Sequence, residues 1–318
     1  MKSLLQFFIS LNLLYFPLAS ILGQDAQAYI DSGDKKREQQ DWDGAIADYT
    51  RAIELDPKKA TAYVSRASAK EAKGDFTGAV ADWSQVIQLQ PNSSYWYLVR
   101  STARRKAGDL SGAIADASQS LQLPGNHPSS AYKNRAYARH MQRDYDGAIA
   151  DYTKSIEAEA STARNSTYVD RANAWCAKGA WQEALKDFRA YGPPSPGSDR
   201  AAVIWVLRTH LGERDAATAE LRAFLTADTK KESYGHLVGK FLVGDVSEEK
   251  FFKAAEITPK PGSDHKVSAH YFAGVKQLFE GNRKLAADHF QKSVETGRSA
   301  TPAYHTALAE LRRLKEGK

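Results

Sequence analysis

Cysteine is almost absent from this chain of 318 residues: Cys176 is the only one, so no disulfide can close within it. Neither sign of charge dominates. Lys and Arg number 44 against 38 Asp and Glu, a formal net charge of +6. That mixture fits mild attraction to anionic surfaces and argues against a dedicated nucleic-acid binder, which would carry a concentrated positive field. Beyond the first twenty residues no segment is apolar enough to cross a bilayer. The patterns that carry chemistry are missing as well: there is no HExxH, no CxxC, no GxSxG and no glycine-rich phosphate loop. The eight histidines stand at no metal-ligand spacing. No metal, no cofactor and no catalytic residue is therefore expected. One nucleophilic pairing, Cys176 with His140, can be drawn, but Cys176 reads better as a small buried side chain beside a turn.

What is present suffices to fold. The chain is 42% hydrophobic and 26% charged, ordinary values for a globular protein. It opens with MKSLLQFFISLNLLYFPLASILGQDAQA, in which one Lys precedes an apolar run from Leu4 to Leu18 and small residues follow Pro17. This is the layout of a secretory signal over residues 1–23, with cleavage fitting after Ser20 or Gly23. The alternative is an uncleaved anchor. Pro17 ends the run early and favours removal, so the chain is expected to be exported.

The seven residues GAIADYT occur at Gly44 to Thr50 and again at Gly147 to Thr153, with GAVADWS from Gly78 and GAIADAS from Gly112 between them. The starts are spaced 34, 34 and 35 residues (78−44, 112−78, 147−112), and a looser copy, EALKDFR, begins at Glu183. Such a period marks a stacked repeat. With the alanine of GAI as position 20, that column reads Ala45, Ala79, Ala113, Ala148 and Ala184. Position 24 is Tyr49, Trp83, Ala117, Tyr152 and Phe188; position 4 is Tyr29, Tyr63, Tyr97, Tyr132 and Tyr168; position 8 is Gly33, Ala67, Ser101, Ala136 and Ala172. Small residues at 8 and 20 let two helices approach closely, and rings at 4 and 24 fill the space around the crossing. Each unit is thus a helical hairpin, with Gly at position 15 in loops such as KGDF and AGDL ending its first helix.

A charged pattern runs alongside. Asp stands at position 23 of all five units, as Asp48, Asp82, Asp116, Asp151 and Asp187, and Arg at position 7 of the second to fifth, as Arg66, Arg100, Arg135 and Arg171. Shifting one row aligns the columns. The expectation is a structural ion-pair ladder in which each Asp binds the Arg of the following unit, with Arg208 taking Asp187.

These spacings resemble the tetratricopeptide repeat, which carries an aromatic, a small residue, an alanine, an aromatic and a proline at the corresponding positions. Pro57 and Pro91 supply the last of these. The resemblance implies an all-α fold, an α-solenoid in the form of a right-handed superhelix, with five regular units over 24–191. A Pro- and Gly-rich turn, YGPPSPGSDR, interrupts at 192–200. Degenerate units then fill 201–318, with two short helices from Ser233, the second capped by Asp245 or Ser247, and a final helix from Tyr304 to Lys315 that caps the stack. The turn fits either a linker or a wide bend within one solenoid; immediate resumption of hairpin signals at Ala202 favours the bend.

SYGHLVGKFLVGDVSEEKFFKAAE, AHYFAGVKQLFEGNRKLAADHFQKSVETG and PAYHTALAELRRL further resemble the carboxy-terminal half of bacterial envelope tetratricopeptide lipoproteins, which bring peptidoglycan hydrolases and a periplasmic protease together. That resemblance implies a periplasmic or secreted, non-enzymatic adaptor. The lipid-bearing cysteine of those proteins has no counterpart near Ser20 or Gly23.

In such a superhelix positions 2, 5, 6, 9, 12 and 13 line the concave face. The resulting partner-binding groove comprises Tyr95 and Arg105 in the third unit, Lys133, Asn134, Tyr137 and His140 in the fourth, and Asn173 in the fifth. Arg, Lys and Asn can hold a peptide backbone or a terminal carboxylate, and tyrosines can anchor it. A carboxylate clamp of Lys at 5 and Asn at 9 is incomplete, because Tyr137 follows Lys133 where that Asn belongs. The expected function is a protein-interaction scaffold. Alternatives are a subunit of an envelope secretion or outer-membrane assembly machine and, from another class, a binder of anionic glycan or nucleic acid through Arg104, Arg105 and Lys106.

Overall fold

Helices follow one another throughout the residues that the computed structural model describes, 25–159, 166–257, 265–298 and 301–317, with no strand among them. The expected signal segment lies outside these residues. In the five regular units the helices are α1 (25–38) and α2 (Trp42–Leu55), α3 (Ala60–Lys73) and α4 (Phe76–Leu89), α5 (Ser94–Lys106) and α6 (Leu110–Gln122), α7 (Pro128–Met141) and α8 (Tyr145–Glu157), α9 (Thr167–Lys178) and α10 (Trp181–Ala190). Beyond the turn come α11 (Arg200–His210), α12 (Arg214–Ala227), α13 (Tyr234–Leu242), α14 (Glu248–Ile257), α15 (His265–Phe279), α16 (Arg283–Glu295) and α17 (Pro302–Lys315). They gather into two compact units that divide between Ala138 and Arg139.

The crossing of each hairpin is set by volume. A β-carbon added to Gly33 would lie 2.6 Å from the Tyr49 ring, and one added to Gly274 would lie 2.6 Å from the Phe290 ring. Position 8 must therefore be small where position 24 is a large ring packed directly on it. The same geometry at Gly274 and Phe290 makes α15 and α16 a regular hairpin despite their distance from the clear repeats. Each unit also punctuates itself. The residue at position 15 is left-handed whether or not it is glycine: φ is 62° at Gln40, 87° at Gly74 and Gly108, and 67° at Arg143. The Asp that follows caps the second helix, its carboxylate accepting from the amide of the repeat's own glycine: Gly44 to Asp41, Gly78 to Asp75, Gly112 to Asp109 and Gly147 to Asp144. A β-carbon on any of these four glycines would collide with that carboxylate. In the fifth unit Ala180 stands at the cap without a side-chain bond, and Glu183 replaces the glycine. Cap and glycine are lost together.

In the second, third and fifth units the Arg–Asp pairs form within the unit, which corrects the expected one-row shift. Arg66 donates to Asp82 through Nε at 3.0 Å and Nη2 at 2.7 Å; Arg100 donates to Asp116 through both at 2.8 Å; Arg171 donates to Asp187 at 2.8 and 2.7 Å. The reason is geometric. Positions 7 and 23 are equidistant from the turn residue at 15, so antiparallel helices of equal rise bring them level. The link to the preceding unit is a hydroxyl: Arg66 Nη1 donates to Thr50, Arg100 to Ser84 and Arg135 to Ser118, each at 3.0 Å, and Arg171 to Thr153 at 2.9 Å. A cation at position 11 also reaches the Asp in the first four units. Lys36 meets Asp48 and Lys70 meets Asp82 at 2.8 Å, Arg104 meets Asp116 at 3.0 Å, and Arg139 meets Asp151 at 2.7 Å. Ser32, where the other units have Arg, donates to Asp48 at 2.7 Å. Arg208 does not take Asp187; it binds Glu213 and Glu220.

Beyond the fifth unit no helix runs from 192 to 199. This bend is tied to the start of α13: Gly197 donates its amide to Asp228, whose carboxylate meets His236 Nδ1 at 3.1 Å. Ser247, not Asp245, is the cap of α14, accepting from Lys250 N at 3.4 Å. Trp205, Phe241, Phe251, Phe272 and Phe290 share one apolar core, which Ala307 and Leu311 of α17 join.

Two measurements test this framework. In urea unfolding, Asp116→Ala and Arg100→Ala should each cost about 3 kcal/mol, and the double variant markedly less than their sum; Asp116→Ala with Arg135→Ala should be near additive. Asp109→Ala should cost about 1 kcal/mol, and Gly112→Ala should destabilise the native background more than the Asp109→Ala background, where the colliding carboxylate is gone.

Candidate functional site

Because the second helix of each hairpin holds the Asp and the ring of the packing core, the first helix keeps one face for other uses. In the unit that ends at Ala138 that face is carried by α5 and α7. Tyr95, at the start of α5, is 50% exposed and meets Trp96 edge-on with ring centres 4.9 Å apart. At the other end of α5, the Arg104-Arg105-Lys106 run is divided by helical geometry. Arg104 turns inward to Asp116, and Lys106 lies over Phe76 at 5.2 Å. Arg105 turns to α7, its guanidinium carbon 5.3 Å from the centre of the Tyr137 ring. Lys133, one helical turn before Tyr137, places its ammonium 5.8 Å from the same ring.

Two cations thus lie close to one aromatic ring, which attracts each of them. Arg105 Nε is buried and has no hydrogen-bond partner among the described residues. An anion brought to this spot would serve that nitrogen and meet both cations by charge-assisted hydrogen bonds. Asn134 is not part of that supply. Its amide donates to Thr102 Oγ1 at 2.8 Å and to Leu98 O at 3.4 Å, so it ties α7 to α5.

The other expected groove residues fall in the unit that begins at Arg139. His140 is 9% exposed, with Tyr145 and His305 packed edge-on at 5.3 and 4.5 Å between ring centres. Burial, and then the neighbouring His305, lower its pKa to about 3. This corrects the groove assignment: the side chain is closed off by α17, a helix distant in sequence. Asn173 lines an open cavity of about 340 Å³ with Val169, Asp170, Phe188, Tyr191 and Arg200. Arg200 spans its rim, donating to the Pro193 carbonyl with its guanidinium 4.6 Å from the Tyr191 ring. Positions 5, 6 and 9 of the fifth unit do converge there, as the repeat register required. Cys176, at position 12, is 5% exposed, and burial pushes its thiol up to about 12. A thiol so held is protonated and unreactive, and a neutral, enclosed His140 is no base for it.

Sequence reasoning missed two features. The position 11 cations, Lys36, Lys70, Arg104 and Arg139, form a column visible in the same alignment that exposed the Asp column. The contacts of α17 with α9 and α11 left no trace in the repeat pattern. Among the described residues no cluster of three or more His, Cys, Asp or Glu could hold a metal ion, and no helix is long and apolar enough to cross a membrane.

Comparison with known proteins places the repeats. A family model described as TPR repeat matches residues 33–74, and one described as Tetratricopeptide repeat matches residues 65–128. No curated protein matches the chain. Among solved structures, a tetratricopeptide repeat protein from Parabacteroides merdae is similar over 91% of this chain and 99% of its own, with a TM-score of 0.58 at 14% identity. PilW, described as a type IV pilus biogenesis factor, is similar over 64% of this chain and 94% of its own, with a TM-score of 0.52 at 18% identity. At these identities the likeness is one of fold. Repeat period, hairpin geometry and family models agree: the chain carries tetratricopeptide repeats, matched by the family models over residues 33–128, and its fold is all-α and solenoidal.

Proposed function

We propose that this protein is a non-enzymatic scaffold that captures an acidic segment of a partner protein on the face formed by Tyr95, Arg105, Lys133 and Tyr137. The tetratricopeptide fold supports protein binding in general, since a stack of hairpins offers a long face of side chains on a rigid frame. The observation that carries the particular reading is the Tyr137 ring shared by two cations, with the buried Arg105 Nε unpaired. A side-chain or terminal carboxylate seated there gains charge-assisted bonds, and the exposed Tyr95 ring gives the rest of the segment an apolar surface. Export to the envelope, and peptidoglycan hydrolases or a protease as partners, belong to the same proposal. They rest on the apolar leader and on the resemblance of the last ninety or so residues to envelope adaptors.

Arg105 and Lys133 would also attract an anionic glycan or a nucleic acid, and the two readings differ in their response to salt. A polyanion bound mainly through its charge loses affinity steeply as salt rises, whereas a short segment held by two cations and a ring loses little.

A photo-crosslinking residue in place of Tyr95 should trap a protein partner in the native host. For a fluorescent peptide ending in two acidic residues and a free carboxylate, Lys133→Glu with Tyr137→Ala should weaken binding by about tenfold or more. Thermal unfolding should stay within about 2 °C of the parent, as expected of partly exposed positions. Unchanged peptide affinity would move the site elsewhere.

A further inference from the structure

Position 15 of the repeat is the left-handed turn residue, and in the hairpin of α11 and α12 that residue is Gly212, with φ 83°. Counted from it, Ala217 stands at position 20, Glu220 at position 23 and Arg208 at position 11, matching the small residue, the acid and the second cation of the regular units. Four other columns have changed. Position 4 is Ala201 where five units have Tyr, and position 7 is Ile204 where the second to fifth have Arg. Position 8 is Trp205 where the others are small, and position 24 is Leu221 where four of the five have a ring. One ring has moved from the second helix to the first, and one has been lost.

In the regular units the side chains at 4 and 7 pack on each other. The guanidinium carbons of Arg66, Arg100, Arg135 and Arg171 lie 5.4 to 5.8 Å from the ring centres of the tyrosines three residues before them. Helix α11 has neither partner, and an open cavity of about 240 Å³ is found there, bordered on α11 by Ala201, Ile204 and Trp205 and on α12 by Ala217 and Leu221. Trp205 is 2% exposed and donates from Nε1 to Thr218 Oγ1 at 2.9 Å, so that wall is fixed. An apolar cavity of about 150 Å³ takes benzene. This one has room for a single substituted ring. Its charged lining is Arg208 and Glu220. In the second unit two cations, Arg66 and Lys70, divide one carboxylate, Asp82. Here the ratio is reversed: the one guanidinium of Arg208 is divided between Glu213 and Glu220. The Glu220 side chain is 56% exposed and can receive a second cation from solvent without uncovering the core.

The geometry points to a ligand site between α11 and α12 for a small arylalkylamine, its ring in the space of the missing tyrosine and its ammonium on Glu220 in place of the missing arginine. Affinity comes mainly from the ring, because burying it removes apolar area of ligand and cavity from water. The ammonium adds less, since its partner is exposed, and supplies the selectivity for charge. The site lies on a different hairpin from the Tyr137 face and does not depend on what binds there.

Calorimetric titration of the full chain with tyramine, p-cresol and 4-hydroxyphenylacetate, which share a ring and differ in charge, tests both halves of the site. Tyramine should bind with a dissociation constant in the millimolar range or below, p-cresol about threefold or more weakly, and 4-hydroxyphenylacetate most weakly. Ala201→Phe, which refills the space from the chain itself, should abolish tyramine binding while thermal unfolding stays cooperative. Should that variant not fold, Leu221→Phe, which returns a ring to position 24, should weaken tyramine at least about tenfold. Glu220→Gln should bring tyramine to the level of p-cresol and leave p-cresol unchanged. Tyramine binding that survives a folded cavity-filling variant, or no binding by any of the three compounds, overturns the site. Equal affinity for all three overturns the assignment of an amine.

Discussion

Two helices pack closely only where the side chains between them are small, and this constraint fixes much else in the chain. Gly33 under Tyr49 and Gly274 under Phe290 show it at both ends of the array. Once a ring must lie flat on position 8, the second helix has a fixed height and rotation relative to the first. Position 23 then falls level with position 7, and the Asp–Arg pairs follow as a consequence of register. Their role is to satisfy each other in a partly dry hairpin. A carboxylate held by a guanidinium and a second cation, as Asp82 is by Arg66 and Lys70, leaves few lone pairs unserved.

The cohesion between successive units is of a different kind. The guanidinium that serves its own Asp spends its remaining nitrogen on a hydroxyl of the unit before, from Thr50 to Thr153. One side chain thereby ties both the hairpin and the stack. A neutral acceptor suffices for the second bond because the charge has already been met within the unit, and a second carboxylate there would have to be paired again.

The same economy separates two faces of the chain, one on α5 and α7 and one on α17. On α5 and α7, Tyr137 has two cations, Arg105 and Lys133, close to one ring. On α17 Glu310 and Arg313 are paired with each other under burial, and Glu310 and the neighbouring His210 are displaced from their ordinary ionisation in consequence. The first arrangement invites an incoming anion. The second closes a helix whose other face, through Ala307 and Leu311, joins the apolar core.

How much of this was legible in the sequence follows from how local each feature is. The hairpins, their glycine turns, the packing columns and the groove positions of α9 recur every 34 or 35 residues, so comparing the chain with itself revealed them. The Asp and Arg columns were visible for the same reason, but their pairing was misread, because a period cannot tell a contact within a unit from one between neighbours. The arithmetic of the hairpin, 7 and 23 about 15, decides it. The burial of His140, the use of Asn134 in joining α5 to α7, and the contacts of α17 with α8 and α9 were not legible at all. His140 and His305 are 165 residues apart (305−140), and no repeat relates them. Sequence alone determined what each hairpin is, because a hairpin's contacts lie within one period of the chain. Only the tertiary structure decided which faces stayed open, because that depends on how rise and rotation accumulate over many hairpins before a distant helix returns.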